Sequence, residues 1–351
     1  MKFSKLFLVA LSISFFVSCS NDDDSNEPIG AYTHGVLILN EGGSGQGSVS
    51  YIGNDLSSFT QDVYGTVNGS DVFGKYAQSI FFDGDNAYII AGGSNTINVV
   101  NRYTFKLIAK IDSGLKNPRY GVVKEGKAYV TNGNTYSYAN PASGDTDDYI
   151  AVINLATNTV DSKIELNATA NRIVLENGKL YITEPYSNDK LLVVNPSTNT
   201  LETSVNIGSS ADTMEAKDGV LYVLRSPYGG RSEIVKVKLS DKTISKVTFP
   251  EALDGASNLD IYENRIFYTV ETAVYAMNII ANEASVTSIV NYSSTSAYGK
   301  MYGFAVNDNR IFIADGGDFT ANSKAYIYSI TGTLQKELTV GVGPNGFYFN
   351  N

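Results

Sequence analysis

From residue 34 to the end of the chain, short apolar stretches alternate with clusters of Gly, Asn, Asp and Ser. This is a strand pattern; nowhere does an apolar spacing of three to four residues persist as an amphipathic helix requires. One run recurs as "NAYIIAGG", "KAYVTNGN", "KLYITEPY", "VLYVLRSP", "RIFYTVET" and "RIFIADGG", with aromatic anchors Tyr88, Tyr129, Tyr181, Tyr222, Phe267 and Phe312. The anchors lie 41, 52, 41, 45 and 45 residues apart, the period of a four-stranded propeller blade. A second apolar run such as "AVINLATNTV" and a third such as "DSKIEL" follow the anchor run.

Ten residues before each anchor falls a short polar-to-apolar segment: "AQSIFF", "PRYGVV", "ANRIVL", "ADTMEA", "ASNLDI" and "MYGFAV". These are predicted as the first strand of each blade. A seventh copy, "PNGFYF", begins at Pro344 and has no anchor run after it, whereas "GVLILNEGG" near residue 36 fits the anchor run and has no first strand before it. The C-terminal strand therefore completes the blade that the N-terminal strands begin. The expected fold is all-β, a seven-bladed β-propeller over residues 34–351, closed by pairing of its N- and C-terminal strands. Closure removes exposed sheet edges and makes the last residues structurally essential, unlike most termini.

The same register predicts which side chains gather at one mouth of the central channel. The first strands begin there with Gln78, Arg119, Asn171, Asp212, Ser257, Tyr302 and Asn345, followed by Ser79, Tyr120, Arg172, Thr213, Asn258, Gly303 and Gly346. Second strands return to this face and end on Asn40, Asn132, Glu184, Arg225 and Asp315, against Ala91 and Val270. Loops there add Glu41, Tyr136, Tyr138, Tyr186, Tyr228 and Phe319, together with the long insertion "NGNTYSYANPASGDTDD". A polar, tyrosine-rich bowl is expected, with Gln78, Arg119, Tyr120, Asn132, Asn171, Arg172, Glu184, Tyr186, Asp212, Arg225, Tyr228, Asn258, Tyr302, Asp315 and Asn345 as candidate ligand-binding residues.

Composition narrows the chemistry. The single histidine, His34, falls at the start of the first blade on the opposite face, and Cys19 is the single cysteine. A Ser-His-Asp or Cys-His centre is therefore not expected, nor a histidine–cysteine metal site. "DGGDFTAN" (315–322) and "DTDD" (145–148) offer oxygens without calcium-loop spacing. Glu184 with Asp212 or Asp315 would share the mouth, but two acids facing a channel do not define a hydrolase. "NEGGSGQGS" joins two strands and opens no helix, so it is not a phosphate cradle. No catalytic residue, metal or cofactor is expected, and the chain is read as a binding protein rather than an enzyme. The formal net charge is −10, which argues against a nucleic-acid partner.

The N-terminus carries Lys2 and Lys5, an apolar run from Leu6 to Val17, and then Cys19. The run is too short for a permanent span, and the cysteine in place of a small-residue cleavage site resembles a bacterial lipoprotein signal. On that resemblance residues 1–18 are a signal peptide, Cys19 is lipidated, and 19–33 form a tether. The "SNDDDSNEP" behind Cys19 resembles the acidic export tag of Bacteroidetes surface lipoproteins. The expected location is thus the outer membrane, lipid-anchored and surface-exposed, with no contact to the membrane other than the anchor.

The segments "GVLILNEGGSGQGSVSYIG", "VFGKYAQSIFFDGDNAYII", "KNPRYGVVKEGKAYVTN" and "MYGFAVNDNRIFIADGGDF…GTLQKELTVGVGPNGFYF" resemble the YncE-like propeller lipoproteins of Bacteroidetes across residues 34–351. That group includes the BtuG-type proteins, and the resemblance implies capture of cobalamin and its transfer to a TonB-dependent transporter. A bowl of Tyr, Asn, Gln and Arg suits a large, nearly neutral, amide-fringed ligand, although the chain contains no Trp. Two alternatives stay open: a surface module for a glycan, peptide or protein, and a lactonase-like hydrolase.

Overall fold

The computed structural model describes residues 30–133, 147–186 and 188–351. Cys19, the acidic tether up to residue 29, Tyr136, Tyr138 and most of the long insertion lie outside the described residues.

The described residues build seven antiparallel sheets; six follow the chain from an inner strand outwards, and the seventh takes its inner strand from the C-terminal end. We number the blades in chain order. The inner strands of blades two to seven are Ala77–Asp83, Pro118–Lys124, Arg172–Glu176, Ala211–Lys217, Leu259–Tyr262 and Gly303–Asn307. They touch in succession and close a ring with Pro344–Asn350. The aromatic anchors Tyr88, Tyr129, Tyr181, Tyr222, Phe267 and Phe312 are all buried. The apolar core falls into seven clusters, one at each junction between neighbouring blades. Each blade thus buries both sheet faces, which is why its middle strands read as nearly continuous apolar runs.

Blade one is closed as the orphan segments require. Strand Pro344–Asn350 pairs antiparallel with Gly35–Asn40, with Val36 opposite Phe349 and Ile38 opposite Phe347. Phe347 is buried and Phe349 half-buried, with ring centroids 5.5 and 5.3 Å from that of Phe312 in blade seven. Asn350 then locks the chain end onto blade two. Its side-chain amide donates to the Tyr32 and Arg102 carbonyls at 2.7 Å, and its Oδ1 accepts from Arg102 Nε at 2.6 Å.

Two local features depart from the sequence expectation. Residues Val63–Asn68 form a short α-helix between blades one and two, capped by Asp62 and burying Val63 and Tyr64. It is under two turns long, too short to show a helical period. In blade four the outermost strand is split into Thr200–Leu201 and Val205–Asn206.

An inner strand has a sheet partner on one side only, so its channel-side backbone groups need other partners. Side chains reach across blade junctions to supply them. Asn345 Nδ2 donates to Ala77 O (2.7 Å), Ser79 Oγ to Arg119 O (2.7 Å), and Thr131 Oγ1 to Asn171 O (2.6 Å). Thr183 Oγ1 donates to Asp212 O (2.7 Å), and Asn258 Nδ2 to Met301 O (2.9 Å). Carboxylates do the reverse: Ile261 N donates to Glu215 (2.6 Å) and Val306 N to Asp260 (2.7 Å).

Candidate functional site

The first-strand residues predicted for the mouth do meet, in a chain of contacts crossing blades two to five. Gln78 Nε2 donates to Tyr120 Oη at 2.9 Å. Arg119 Nε donates to Asn171 Oδ1 at 2.9 Å, and Asn171 Nδ2 donates to Asp212 Oδ1 at 3.1 Å. Arg172 completes the group: its guanidinium lies 4.2 Å from the Tyr120 ring centroid and its Nε 3.4 Å from Asp212 Oδ1. Burial alone would lower the Arg172 pKa, but Tyr120 and Asp212 outweigh it and the group is held charged. The result is a pre-organised floor of amide, carboxylate, guanidinium and phenol.

The other side of the mouth is built from blades seven and one. Tyr302 donates its hydroxyl to Glu41 and packs edge-on against Phe319, with centroids 4.8 Å apart. Burial pushes the Glu41 carboxyl up, opposed by the Tyr302 bond and the Arg119 charge. Burial and the neighbouring Glu41 charge raise the Tyr302 phenol, so it stays a proton donor. Below the mouth the channel holds a cavity of about 370 Å³, whose lining includes Arg172, Glu215, Asp260, Tyr302, Asn345 and Tyr348. Asn258 also faces it, and Asn345 Oδ1 and Thr213 Oγ1 are buried without a hydrogen-bond partner.

Four predicted residues are used up within the scaffold instead. Asn132 is fully buried; its Oδ1 accepts from Lys116 N and its Nδ2 donates to Val130 O, both at 2.9 Å. Glu184 is buried and accepts from Tyr186 N (2.9 Å) and Thr169 Oγ1 (3.0 Å). Arg225 is held by Glu233 at 2.5 Å and by the Ser209 carbonyl at 3.0 Å. Asp315 is buried and accepts from Gly317 N at 2.9 Å, beside blade seven's outer loops rather than on the floor. Tyr186 and Tyr228 are exposed on mouth-side loops and, with Tyr76, give the bowl an aromatic rim.

Glu215, Asp260 and Tyr348 are channel residues that the mouth register does not capture. They occupy the third position beyond the mouth residue, where the other blades carry Phe81, Val122, Val174 and Ala305. Two acids breaking an otherwise aromatic or aliphatic position is the signal that points to them. His34 is exposed in the turn before Gly35, on the opposite face. Among the described residues no three His, Cys, Asp or Glu side chains cluster to hold a metal.

Ring closure, the blade repeat and the hydrogen-bonded mouth define a seven-bladed β-propeller with a polar channel opening. The chain belongs to the family described as "Domain of unknown function (DUF5074)", which matches residues 34–349. No curated protein matches it. Among solved structures it is similar to a quinoprotein alcohol dehydrogenase-like protein of Bacteroides thetaiotaomicron, at 17% identity, 91% of this chain, 79% of that chain and TM-score 0.70. It is also similar to the periplasmic gluconolactonase of Pseudomonas aeruginosa, at 11% identity, 90% of this chain, 98% of that chain and TM-score 0.66. At these identities the likeness is one of fold.

Proposed function

We propose that this propeller is a ligand-capture module that takes a large, nearly neutral, amide-rich molecule of the corrinoid class, cobalamin, at the channel mouth. The observation that carries this reading is the hydrogen-bonded floor linking Gln78, Tyr120, Arg119, Asn171, Asp212 and Arg172 across four blades. It offers donors and acceptors over a breadth that a small metabolite would leave unused. A ligand fringed with amides can match many such groups at once, each worth a modest amount. The rim tyrosines add apolar faces with polar tips at low entropic cost. No histidine stands at this mouth, so cobalt would keep its own axial ligands.

On this reading the protein is a binding protein rather than an enzyme and carries no cofactor of its own. It acts from the outer membrane, anchored through Cys19 and exposed at the surface, and hands its ligand to a TonB-dependent transporter. Asp212 and Glu41 are engaged by Asn171, Arg172 and Tyr302, which suits fixed recognition better than proton transfer.

Calorimetry with cobalamin, on protein beginning after Cys19, tests the proposal. Arg119→Ala removes a floor residue whose described side-chain bond is to Asn171 and should weaken binding by about 1–3 kcal/mol. Tyr120→Ala should weaken it too, but this ring also packs on the core between blades three and four, so some stability is lost with it. His34→Ala, on the far face, should change nothing. A folded wild type that binds no corrinoid refutes the reading.

A further inference from the structure

A second cavity, about 780 Å³, opens between loop 293–298, which leads into blade seven, and blade seven's own loop 315–324. We propose that this pocket is a carbohydrate-binding site for one or two uncharged pyranose units. The proposal stands independently of the channel-mouth reading. The volume is within the range of small-molecule sites, roughly 300–1,000 Å³, and its lining combines the two chemistries a sugar ring presents. Tyr298 is 89% exposed at the pocket, an aromatic face for the C–H side of a pyranose. Asp318 and Asn322, with the hydroxyls of Ser293 and Thr295, supply acceptors and donors for ring hydroxyls.

Charge argues against the other small-ligand classes. The ionisable lining residues other than tyrosine are Asp315, Asp318 and Lys324. The Lys324 ammonium is already 2.9 Å from Glu337 and donates to Thr339 at 3.2 Å. A phosphate or carboxylate would thus face two carboxylates with the neighbouring cation already engaged. An apolar ligand would strand the serine, threonine and asparagine groups.

The pocket is also held open in one shape. Ser296 Oγ donates to Gly317 O and accepts from Gly299 N, both at 2.6 Å, tying the two loops together. Gly299 approaches so closely that a Cβ would stand 2.8 Å from Gly317 N. Asp318 accepts the Thr320 backbone N–H of its own loop at 2.9 Å, which fixes its carboxylate and leaves lone pairs over. Such pre-organisation lowers the entropic cost of binding.

Saturation-transfer NMR and calorimetry with maltotriose, cellotriose, mannotriose and the trimer of N-acetylglucosamine test this. At least one probe should bind, and Tyr298→Ala and Asn322→Ala should each weaken it about tenfold or more without moving the melting temperature. Ile280→Ala, an exposed apolar residue just after strand Ala273–Asn278, should leave sugar binding unchanged. The assignment is overturned if no probe binds at roughly 10 mM, a concentration at which even a millimolar site is mostly filled. It is also overturned if Tyr298→Ala binds like wild type, or if Arg119→Ala abolishes sugar binding and so moves the site to the channel mouth.

Discussion

Replacing Glu215 with Gln should make the fold more stable, and the gain should grow with pH. Glu215 and Asp260 stand on adjacent inner strands and line the same channel cavity. Burial, reinforced by the Asp260 charge, pushes Glu215 up to about 9, and burial pushes Asp260 up to about 6. Between those values the folded pair holds one proton that the unfolded chain, with both carboxylates near their ordinary values, does not hold. Stability that depends on a proton bound in the native state is present at low pH and lost as pH rises towards the folded pKa. The slope for one proton is about 1.4 kcal/mol per pH unit. From pH 6 to pH 8 the wild type should therefore lose about 3 kcal/mol, or about 4 °C in Tm for a chain of this length. Gln keeps an oxygen for Ile261 N, puts an amide donor where the shared proton lies, and cannot titrate. Chemical denaturation at pH 6, 7 and 8 checks the difference. Parallel profiles for the two proteins, or a variant weaker than wild type at pH 8, would refute the assignment of the shared proton.

Deleting residues 343–351 strips the inner strand from blade one and the Phe347 and Phe349 contacts from Phe312. Burial of Phe347 alone is worth about 1.5–3 kcal/mol, so the truncated chain should melt far lower or aggregate in size-exclusion chromatography. Thr183→Val removes the hydroxyl that satisfies the Asp212 carbonyl; urea unfolding should show a loss of about 1–3 kcal/mol. Cys19→Ala should release the protein from cell membranes or leave it unprocessed. Converting Asp22, Asp23 and Asp24 to Ala should keep it anchored but hide it from protease added to intact cells, and full accessibility would exclude an export tag.

Much of the fold is legible because a propeller repeats its errors and its signals together. A single run such as "KLYITEPY" is ambiguous, but six anchors at blade spacing are not, and all six are buried. The unmatched strand at each end then forces closure, and the pairing of Ile38 with Phe347 follows from it. What escaped is non-repetitive. Helix Val63–Asn68 is set by one cap, Asp62, and by a glycine, Gly69, at its end with φ 63°, in a connection that has no α-helical counterpart among the described residues. Tyr298 sits in "SSTSAYGK", a loop without periodicity; its place beside a pocket comes from Ser296 and Gly299 touching blade seven.

Register shows which polar residues reach the mouth; it does not show which of them are already engaged there. First-strand residues such as Arg119, Asn171 and Asp212 face the channel, where their nearest partners are one another. Their side chains form a floor whose outer surface still offers hydrogen-bonding groups. Second-strand ends lie beside loops with orphan backbone N–H and C=O groups, and a polar side chain there is captured first. Asn132 takes the Lys116 N–H and Glu184 the Tyr186 N–H. The same competition explains Glu215 and Asp260, placed where the inner strands of blades six and seven present N–H groups that their own sheets leave unpaired. A polar residue in a propeller is therefore a recognition candidate when the backbone around it is already satisfied, and a scaffold element when it is not. By that criterion the floor of blades two to five, rather than the second-strand ends, is where the channel mouth has groups to spare for a ligand.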